Sequence, residues 1–264
     1  MTRDQVTIFI ILPFIGYLLG SIPFAWVIGR AKGIDIRTVG SKNIGATNLG
    51  RTLGPQFFWY AFLLDAAKGF LPVLAATLFM AHVNGAIAET WAATATPQNA
   101  SAFELLSSYL TPVPTPPFLE PYWAPLITGC ACVLGHLFPV WLKFKGGKGV
   151  ATAFGVVLGF WPLFTLSGLI AGAFFVFMLM VYRYISLASM SASVVFVLCV
   201  ATLGLSTRLP FFFYMSWHAR FPLVLIAALF AAAIIFRHRA NIGRLIKGTE
   251  PQIGKREMDK ARLK

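Results

Sequence analysis

The chain has 264 residues, of which 58% are hydrophobic and only 12% charged, and its mean hydropathy is +0.74. A soluble globular domain carries about twice that share of charge, so the composition excludes an ordinary soluble protein. The apolar residues fall in long blocks, which predicts an all-α, polytopic integral membrane protein with one domain over residues 1–264. The net charge of +13 is better explained by cytoplasmic loops at an anionic membrane surface than by nucleic acid.

The hydrophobic blocks predict about seven transmembrane helices. They cover residues 7–29, 65–82, 123–142, two helices within 150–181, 185–205 and 221–236. The first helix is expected to be interrupted at Pro13 and at residues 20–23 (GSIP), where something nearby must satisfy the freed carbonyl groups. The two helices within residues 150–181 share too few residues for full crossings of ~20 each, so we expect them to be short, tilted or locally buried.

The distribution of basic residues predicts the orientation of these helices. Lys and Arg are absent from Gly69 to Leu142, so residues 83–122, rich in Thr, Ser and Pro, are expected to form a partly extended extracytoplasmic loop. The aromatic segment 55–64 is expected to lie in the membrane interface before the second helix. All but Arg3, Arg208 and Arg220 of the 22 basic residues then lie at the inner side, with the N-terminus outside and residues 237–264 as a cytoplasmic tail.

A polar loop follows the first helix and has the composition of an oxyanion site. Residues 40–48 (GSKNIGATN) and Arg51 combine glycines, short polar side chains and positive charge. Backbone N–H groups, hydroxyls and an arginine together favour phosphate. A basic loop that only fixes topology would have a similar composition, so this stretch alone does not separate the two interpretations.

Two further polar stretches lie on the same predicted membrane face. Residues 145–149 (KGGKG) precede a helix whose N-terminus would favour an anion. His238 and Asn241 are three residues apart and share one face of a helix end.

Asp65 and Lys68 also share a helix face, and we expect a structural or supporting role for them. The three cysteines lie in apolar surroundings and indicate neither a disulfide framework nor a zinc site.

Three sets of residues, in order along the chain, carry a resemblance to a known family. They are GSIP with GATN (20–23 and 45–48), GHLFP with KGGKG (135–139 and 145–149), and RHRANI with GTEP (237–242 and 248–251). They resemble the three signature motifs of the PlsY family, the bacterial acyl-phosphate:glycerol-3-phosphate acyltransferases, from about residue 20 to residue 253. The chain departs from that pattern at about residues 84–122 and 208–220, both away from the expected site.

The resemblance implies transfer of a fatty acyl group from acyl phosphate to the 1-hydroxyl of glycerol 3-phosphate. The product is 1-acylglycerol 3-phosphate, in the first step of phospholipid synthesis. The resemblance implies no metal and no direct use of acyl-CoA or acyl carrier protein, and we expect no cofactor. We expect a monomer in contact with lipids of the bacterial inner (plasma) membrane, with its active site facing the cytoplasm.

The site residues implied by the resemblance are carried over by motif position. The expected catalytic residues are Ser41, Arg51, Lys148, His238 and Asn241. The expected substrate-binding residues are Asn43, Gly45, Thr47, Asn48, Gly146, Gly147, Gly149, Ser186 and Ser189.

The role of His238 has two readings at this point. It is either the general base for the acceptor hydroxyl or a hydrogen-bond donor that orients a phosphate, with the substrate phosphate then taking the proton. We favour the second. His136 is expected to be structural, packing the loop entrance.

A transporter of a phosphorylated metabolite is the alternative function, disfavoured by the lack of acidic residues at membrane depth apart from Asp65. A scaffolding membrane protein would have no use for three glycine-rich polar motifs.

The charge asymmetry makes a prediction about topology. In a variant without the three native cysteines, a single cysteine at position 145 should resist a membrane-impermeant thiol reagent in intact cells. A cysteine within residues 84–122 should react. Labelling at position 145 in intact cells would refute the predicted orientation.

Overall fold

A computed structural model describes residues 2–95, 122–161, 163–203 and 217–253. Regular structure within those ranges is entirely helical, which confirms the predicted all-α membrane fold. The α-helices are α1 (Arg3–Val6), α2 (Leu12–Ser21), α3 (Phe24–Ala31), α4 (Ala46–Leu53), α5 (Pro55–Ala95), α6 (Trp123–Leu137), α7 (Val150–Gly159), α8 (Leu163–Tyr182), α9 (Ile185–Leu203), α10 (Trp217–Arg237) and α11 (Arg239–Ile246).

The first membrane span contains both predicted interruptions, and each takes a specific form. A π-helical turn, Thr7–Ile11, joins α1 to α2 just before Pro13, which stands in the first turn of α2. A proline is tolerated there because the first-turn N–H groups have no partner within the helix. The second interruption separates α2 from α3 at Ile22 and Pro23. The carbonyl of Ile22 accepts a hydrogen bond from Lys68 Nζ at 2.6 Å, so a neighbouring helix satisfies it as expected.

The helix α5 differs from the prediction at both ends. It is continuous from Pro55 to Ala95, with Pro72 inside it, so residues 55–64 belong to the same helix as the predicted second span. Its segment Pro55–Val83 is long and apolar enough to cross a membrane. The prediction of a loop from residue 84 was wrong for residues 84–95, which are helical, while residues 96–121 lie outside the described residues.

Six helical stretches among the described residues are long and apolar enough to cross a membrane. The predicted fourth span is the ten-residue helix α7, about 15 Å long at 1.5 Å per residue and half the thickness of a bilayer core. Residues along much of α7 are buried against its neighbours, which agrees with the expected short, buried helix. The helix predicted for residues 221–236 begins earlier than expected, since α10 starts at Trp217.

Glycines let the helices that carry the site approach closely. A methyl group on Gly135 of α6 would collide with the Tyr17 carbonyl of α2, and one on Gly155 of α7 would collide with the Ala66 carbonyl of α5. Small residues at helix crossings allow backbones to approach within a membrane. The helices α2, α5, α6 and α7 therefore form a tightly packed unit beneath the polar loops.

This packing predicts opposite effects for two glycine-to-alanine substitutions. Gly135→Ala should lower the apparent Tm in detergent, because separating α2 from α6 costs about 1–3 kcal/mol. The control Gly172→Ala, where the added methyl group would meet the ring of Phe154 at 3.4 Å, should be neutral or slightly stabilising because alanine favours a helix. Equal thermal stability of both variants would contradict this account.

Candidate active site

The loop between α3 and α4 is shaped by the buried side chain of Asn48. Its Oδ1 accepts a hydrogen bond from the backbone N–H of Ser41 at 2.9 Å. Its Nδ2 donates to the carbonyl oxygens of Ile36 at 2.8 Å and Val39 at 3.2 Å. Gly40 lies in the left-handed region, where a side chain would collide with that amide. Asn48 therefore forms the loop, and its expected contact with a substrate stays a prediction.

The second glycine loop is fixed against the end of α6. Gly146 N–H donates to the carbonyl of Leu137 at 3.1 Å, and Gly147 N–H donates to the carbonyl of His136 at 3.2 Å. A side chain on either glycine would collide with these backbone groups or with the His136 ring. Gly149, at φ +81°, then begins α7. The geometry makes these glycines the support of Lys148 and agrees with the structural role expected for His136.

A buried carboxylate, Glu250, gathers the side chains of the third motif. Its exposed fraction is 6%, and it accepts hydrogen bonds from Ser186 Oγ at 2.8 Å, Asn241 Nδ2 at 2.6 Å and Arg244 Nε at 2.8 Å. Lys148 Nζ donates to the other amide atom of Asn241, its Oδ1. We call these five residues the Glu250 cluster. Sequence reasoning missed Glu250 and Arg244, although the GTEP stretch that contains Glu250 was part of the resemblance.

The first motif reaches the same place through Arg51. Its guanidinium donates to the carbonyl of Pro251 at 3.3 Å, next to Glu250. The positive charge of Arg51 also lowers the pKa of Lys148. The structure therefore brings together Arg51, which follows the first motif, Lys148 of the second and Asn241 of the third, and their catalytic roles stay predictions.

Burial and charge set the protonation of the cluster. Burial is the main cause that lowers the pKa of Lys148 to about 8, and the charges of Arg244 and Arg51 act in the same direction. Glu250 acts in the opposite direction. Burial opposes ionisation of Glu250 itself, but the hydrogen bonds from its three partners outweigh burial and lower its pKa. Among the described residues, three basic side chains, those of Lys148, Arg244 and Arg51, lie near this carboxylate, and such a cationic setting favours an anion.

His238 is buried at the junction of α10 and α11, with an exposed fraction of 2%. Its Nδ1 lies 2.7 Å from the carbonyl oxygen of Ile234. A carbonyl has no hydrogen to donate, so Nδ1 carries the proton and Nε2 keeps its lone pair. Burial first, and the charge of Lys148 second, lower the pKa of His238 to about 4. At neutral pH the ring is therefore neutral and Nε2 is a hydrogen-bond acceptor, whereas the sequence favoured a donor.

The other predicted residues lie outside the Glu250 cluster. Ser189 Oγ donates to the carbonyl of Ile185 one turn back, at 2.8 Å. In the described part of the chain, the hydrogen bonds of the cluster do not extend to the remaining residues of the first motif, Ser41, Asn43, Gly45 and Thr47. Ser41 is exposed and the other three are half-buried. Their roles toward a substrate stay predictions.

Comparison with known proteins agrees with this arrangement. A family model described as glycerol-3-phosphate acyltransferase matches residues 10–248. The glycerol-3-phosphate acyltransferase of Geotalea daltonii is 37% identical over 91% of this chain and 95% of its own length. That of Aquifex aeolicus is 36% identical over 90% and 96%.

Solved structures of the same kind of protein are also similar to this chain. The glycerol 3-phosphate form of PlsY, an integral membrane glycerol 3-phosphate acyltransferase, has a TM-score of 0.66 and 33% identity over 94% of this chain and 96% of that one. Its lysophosphatidic acid form has a TM-score of 0.63 at 33% identity over 92% and 94%.

The helical membrane fold and the cationic site therefore define a multi-pass membrane acyltransferase. The chain belongs to the glycerol-3-phosphate acyltransferase family, that of PlsY. This confirms the resemblance carried by the three motifs and favours an enzyme of phospholipid synthesis over a transporter or a scaffold.

The electrostatics of the cluster predict the effect of Glu250→Gln on Lys148. Removing the carboxylate removes the charge that stabilises the ammonium form, so the pKa of Lys148 should fall below about 8. The measurement is the pH dependence of Lys148 modification by an amine-reactive reagent, followed by peptide mass spectrometry. Wild-type protein in the same detergent is the control, and an unchanged or raised midpoint would contradict the assignment.

Proposed function

We propose that this protein transfers a fatty acyl group from acyl phosphate to the 1-hydroxyl of glycerol 3-phosphate, giving 1-acylglycerol 3-phosphate and inorganic phosphate. The observation that carries the proposal is the meeting of Arg51, Lys148 and Asn241, one from each glycine-rich motif. The glycerol 3-phosphate and lysophosphatidic acid forms of a similar protein support an acceptor and a product of this kind.

The charges of the substrates explain why such a site needs several cations. Two phosphate monoesters bring on the order of three to four negative charges together, at about −1.5 to −2 each. Arg51 and Lys148 are the cations that reduce this repulsion, with Arg244 beside them. Charge-assisted hydrogen bonds to phosphate are stronger than neutral ones, so these side chains hold the reactants as well as neutralise them.

The reaction itself needs little covalent help from the protein. The hydroxyl oxygen of glycerol 3-phosphate attacks the acyl carbon, and the bond from that carbon to the phosphate oxygen breaks. Phosphate leaves and gains a proton, while the hydroxyl loses one, so the proton balance closes without another reactant. Positioning and charge stabilisation are therefore the main contributions of the site.

His238 is suited to orient the acceptor hydroxyl. Its neutral ring presents Nε2 as an acceptor, while Nδ1 is fixed by Ile234. The lone pair at Nε2 accepts the hydroxyl hydrogen and aligns the oxygen for attack. A pKa of about 4 makes the ring a weak base in the empty enzyme, so the leaving phosphate is the final proton acceptor.

The site belongs on the cytoplasmic side of a bacterial plasma membrane in this proposal. The charge asymmetry of the chain supports this orientation, because all three motifs lie on the predicted inner face. A water-soluble acceptor and a lipid-like donor would meet there, and the product would remain in the membrane.

Donor specificity tests the proposed reaction. Purified protein in lipidic medium should release inorganic phosphate when acyl phosphate and glycerol 3-phosphate are both present, and acyl-CoA should not replace acyl phosphate. Lys148→Ala should lower kcat/KM about ten- to a hundredfold, the equivalent of one lost charge-assisted contact of about 1.5–3 kcal/mol. Equal turnover with acyl-CoA would refute the proposed donor.

A pair of His238 variants separates the two ring nitrogens. Asn places its amide near the Nδ1 position and Gln places its amide near Nε2, so His238→Gln should retain more activity than His238→Asn. The wild-type kcat/KM should show an acidic limb near pH 4 that both variants lack. A second limb near pH 6, from the substrate phosphate, should remain in all three proteins. Equal loss in both variants would exclude a role for Nε2.

A further inference from the structure

A buried ion pair lies beneath the polar loops and has no part in the reaction as described. Asp65 and Lys68 are one turn apart on α5, each side chain has an exposed fraction of 3%, and Lys68 Nζ lies 2.7 Å from Asp65 Oδ1. Burying two charges is costly, and apolar residues of similar size often serve stability equally well. The contacts that each partner makes with other residues should therefore explain why this pair is buried.

Lys68 contacts the GSIP part of the first motif. Its Nζ donates to the carbonyl of Ile22 at 2.6 Å, where α2 ends and Pro23 prevents the helix from continuing. The ammonium also lies 5.7 Å from the centre of the Phe24 ring, at the start of α3. Lys68 thus fixes the point from which α3 carries the chain to the loop before Arg51.

Asp65 lies beside the support of the second motif. Its Oδ1 is 3.8 Å from Nδ1 of His136, too far for a hydrogen bond but close enough for its negative charge to act on the ring, and Nδ1 is 3.0 Å from Thr152 Oγ1. The His136 ring fills the space beside Gly147, and the backbone carbonyl of His136 accepts a hydrogen bond from the Gly147 N–H. Because Gly147 directly precedes Lys148, the position of this ring helps to set the position of the Lys148 backbone.

We propose that Asp65 and Lys68 are positioning residues that hold the first and second motif loops in register. Lys68 acts through Ile22, and Asp65 acts through His136, so that Arg51 and Lys148 meet the same substrates. The inference rests on the proposed function only for the identity of those substrates. A pair that merely neutralised itself would not need the hydrogen bond from Lys68 to the carbonyl of Ile22.

Two double variants distinguish the contacts of the pair from its charge. Asp65→Leu with Lys68→Met removes both charges, whereas Asp65→Lys with Lys68→Asp keeps an ion pair but exchanges its ends. Both should raise the KM and the Kd for glycerol 3-phosphate, with kcat/KM at least about tenfold lower, since a misplacement of about 1 Å can cost a hundredfold. A solely structural role would lower Tm or yield and leave kcat and KM of the folded enzyme unchanged.

Wild-type kinetics in either folded double variant would overturn the proposal. If neither double variant folds, Thr152→Val and Thr152→Ser decide, because Val removes the hydroxyl beside His136 and Ser retains it. A raised KM for glycerol 3-phosphate in Thr152→Val but not in Thr152→Ser is expected, and equal kinetics in the two would overturn the proposal. Failure of the proposed function would appear in the wild-type assay, whereas failure of this inference would appear only in the variants.

Discussion

Cations that bind phosphate also repel one another, and the buried carboxylate of Glu250 is the interaction that allows this site to collect them. Glu250 binds Arg244 directly and orients Asn241, whose other amide atom accepts from Lys148. Ser186 brings α9 to the same carboxylate. One buried negative charge thereby joins three separate segments, and the chain next to it also accepts a hydrogen bond from Arg51.

The backbone beneath this cluster has to be rigid, because flexible loops would not hold the cations at fixed positions relative to one another and to a substrate. Rigidity comes from contacts that leave no room for side chains, as where Gly147 meets the His136 ring and Gly135 meets α2. The Asp65–Lys68 pair lies where these contacts converge. The glycine-rich motifs therefore act here through close packing of the backbone as much as through access to a ligand.

Local chemistry made part of this structure predictable and long-range contacts made the rest unpredictable. The break at residues 20–23 follows from proline itself, but Lys68 as the partner of Ile22 is a contact across 46 residues. Residues 85–95 hold five alanines, which favour a helix. The absence of Lys and Arg from this stretch indicates the outer side of the membrane, but it does not indicate a loop. Charge and spacing pointed to the polar segments that contain Arg51, Lys148 and Asn241, and the resemblance to the family singled out these three residues. Glu250 was missed, although it lies in the GTEP stretch, because neither composition nor spacing indicates that this carboxylate is buried.

The lowered pKa values of Lys148 and His238 determine how the two side chains would respond to a bound phosphate. With a pKa of about 8, Lys148 is partly neutral near physiological pH, and the same burial keeps His238 neutral. A bound dianionic phosphate favours the ammonium form and raises the pKa of Lys148, so binding completes its protonation. His238 starts from a pKa of about 4, so a moderate rise caused by the phosphate still leaves its ring neutral and Nε2 an acceptor at neutral pH. In the proposed reaction, binding would thus add positive charge at Lys148 beside the phosphate and preserve the lone pair of His238 for the acceptor hydroxyl.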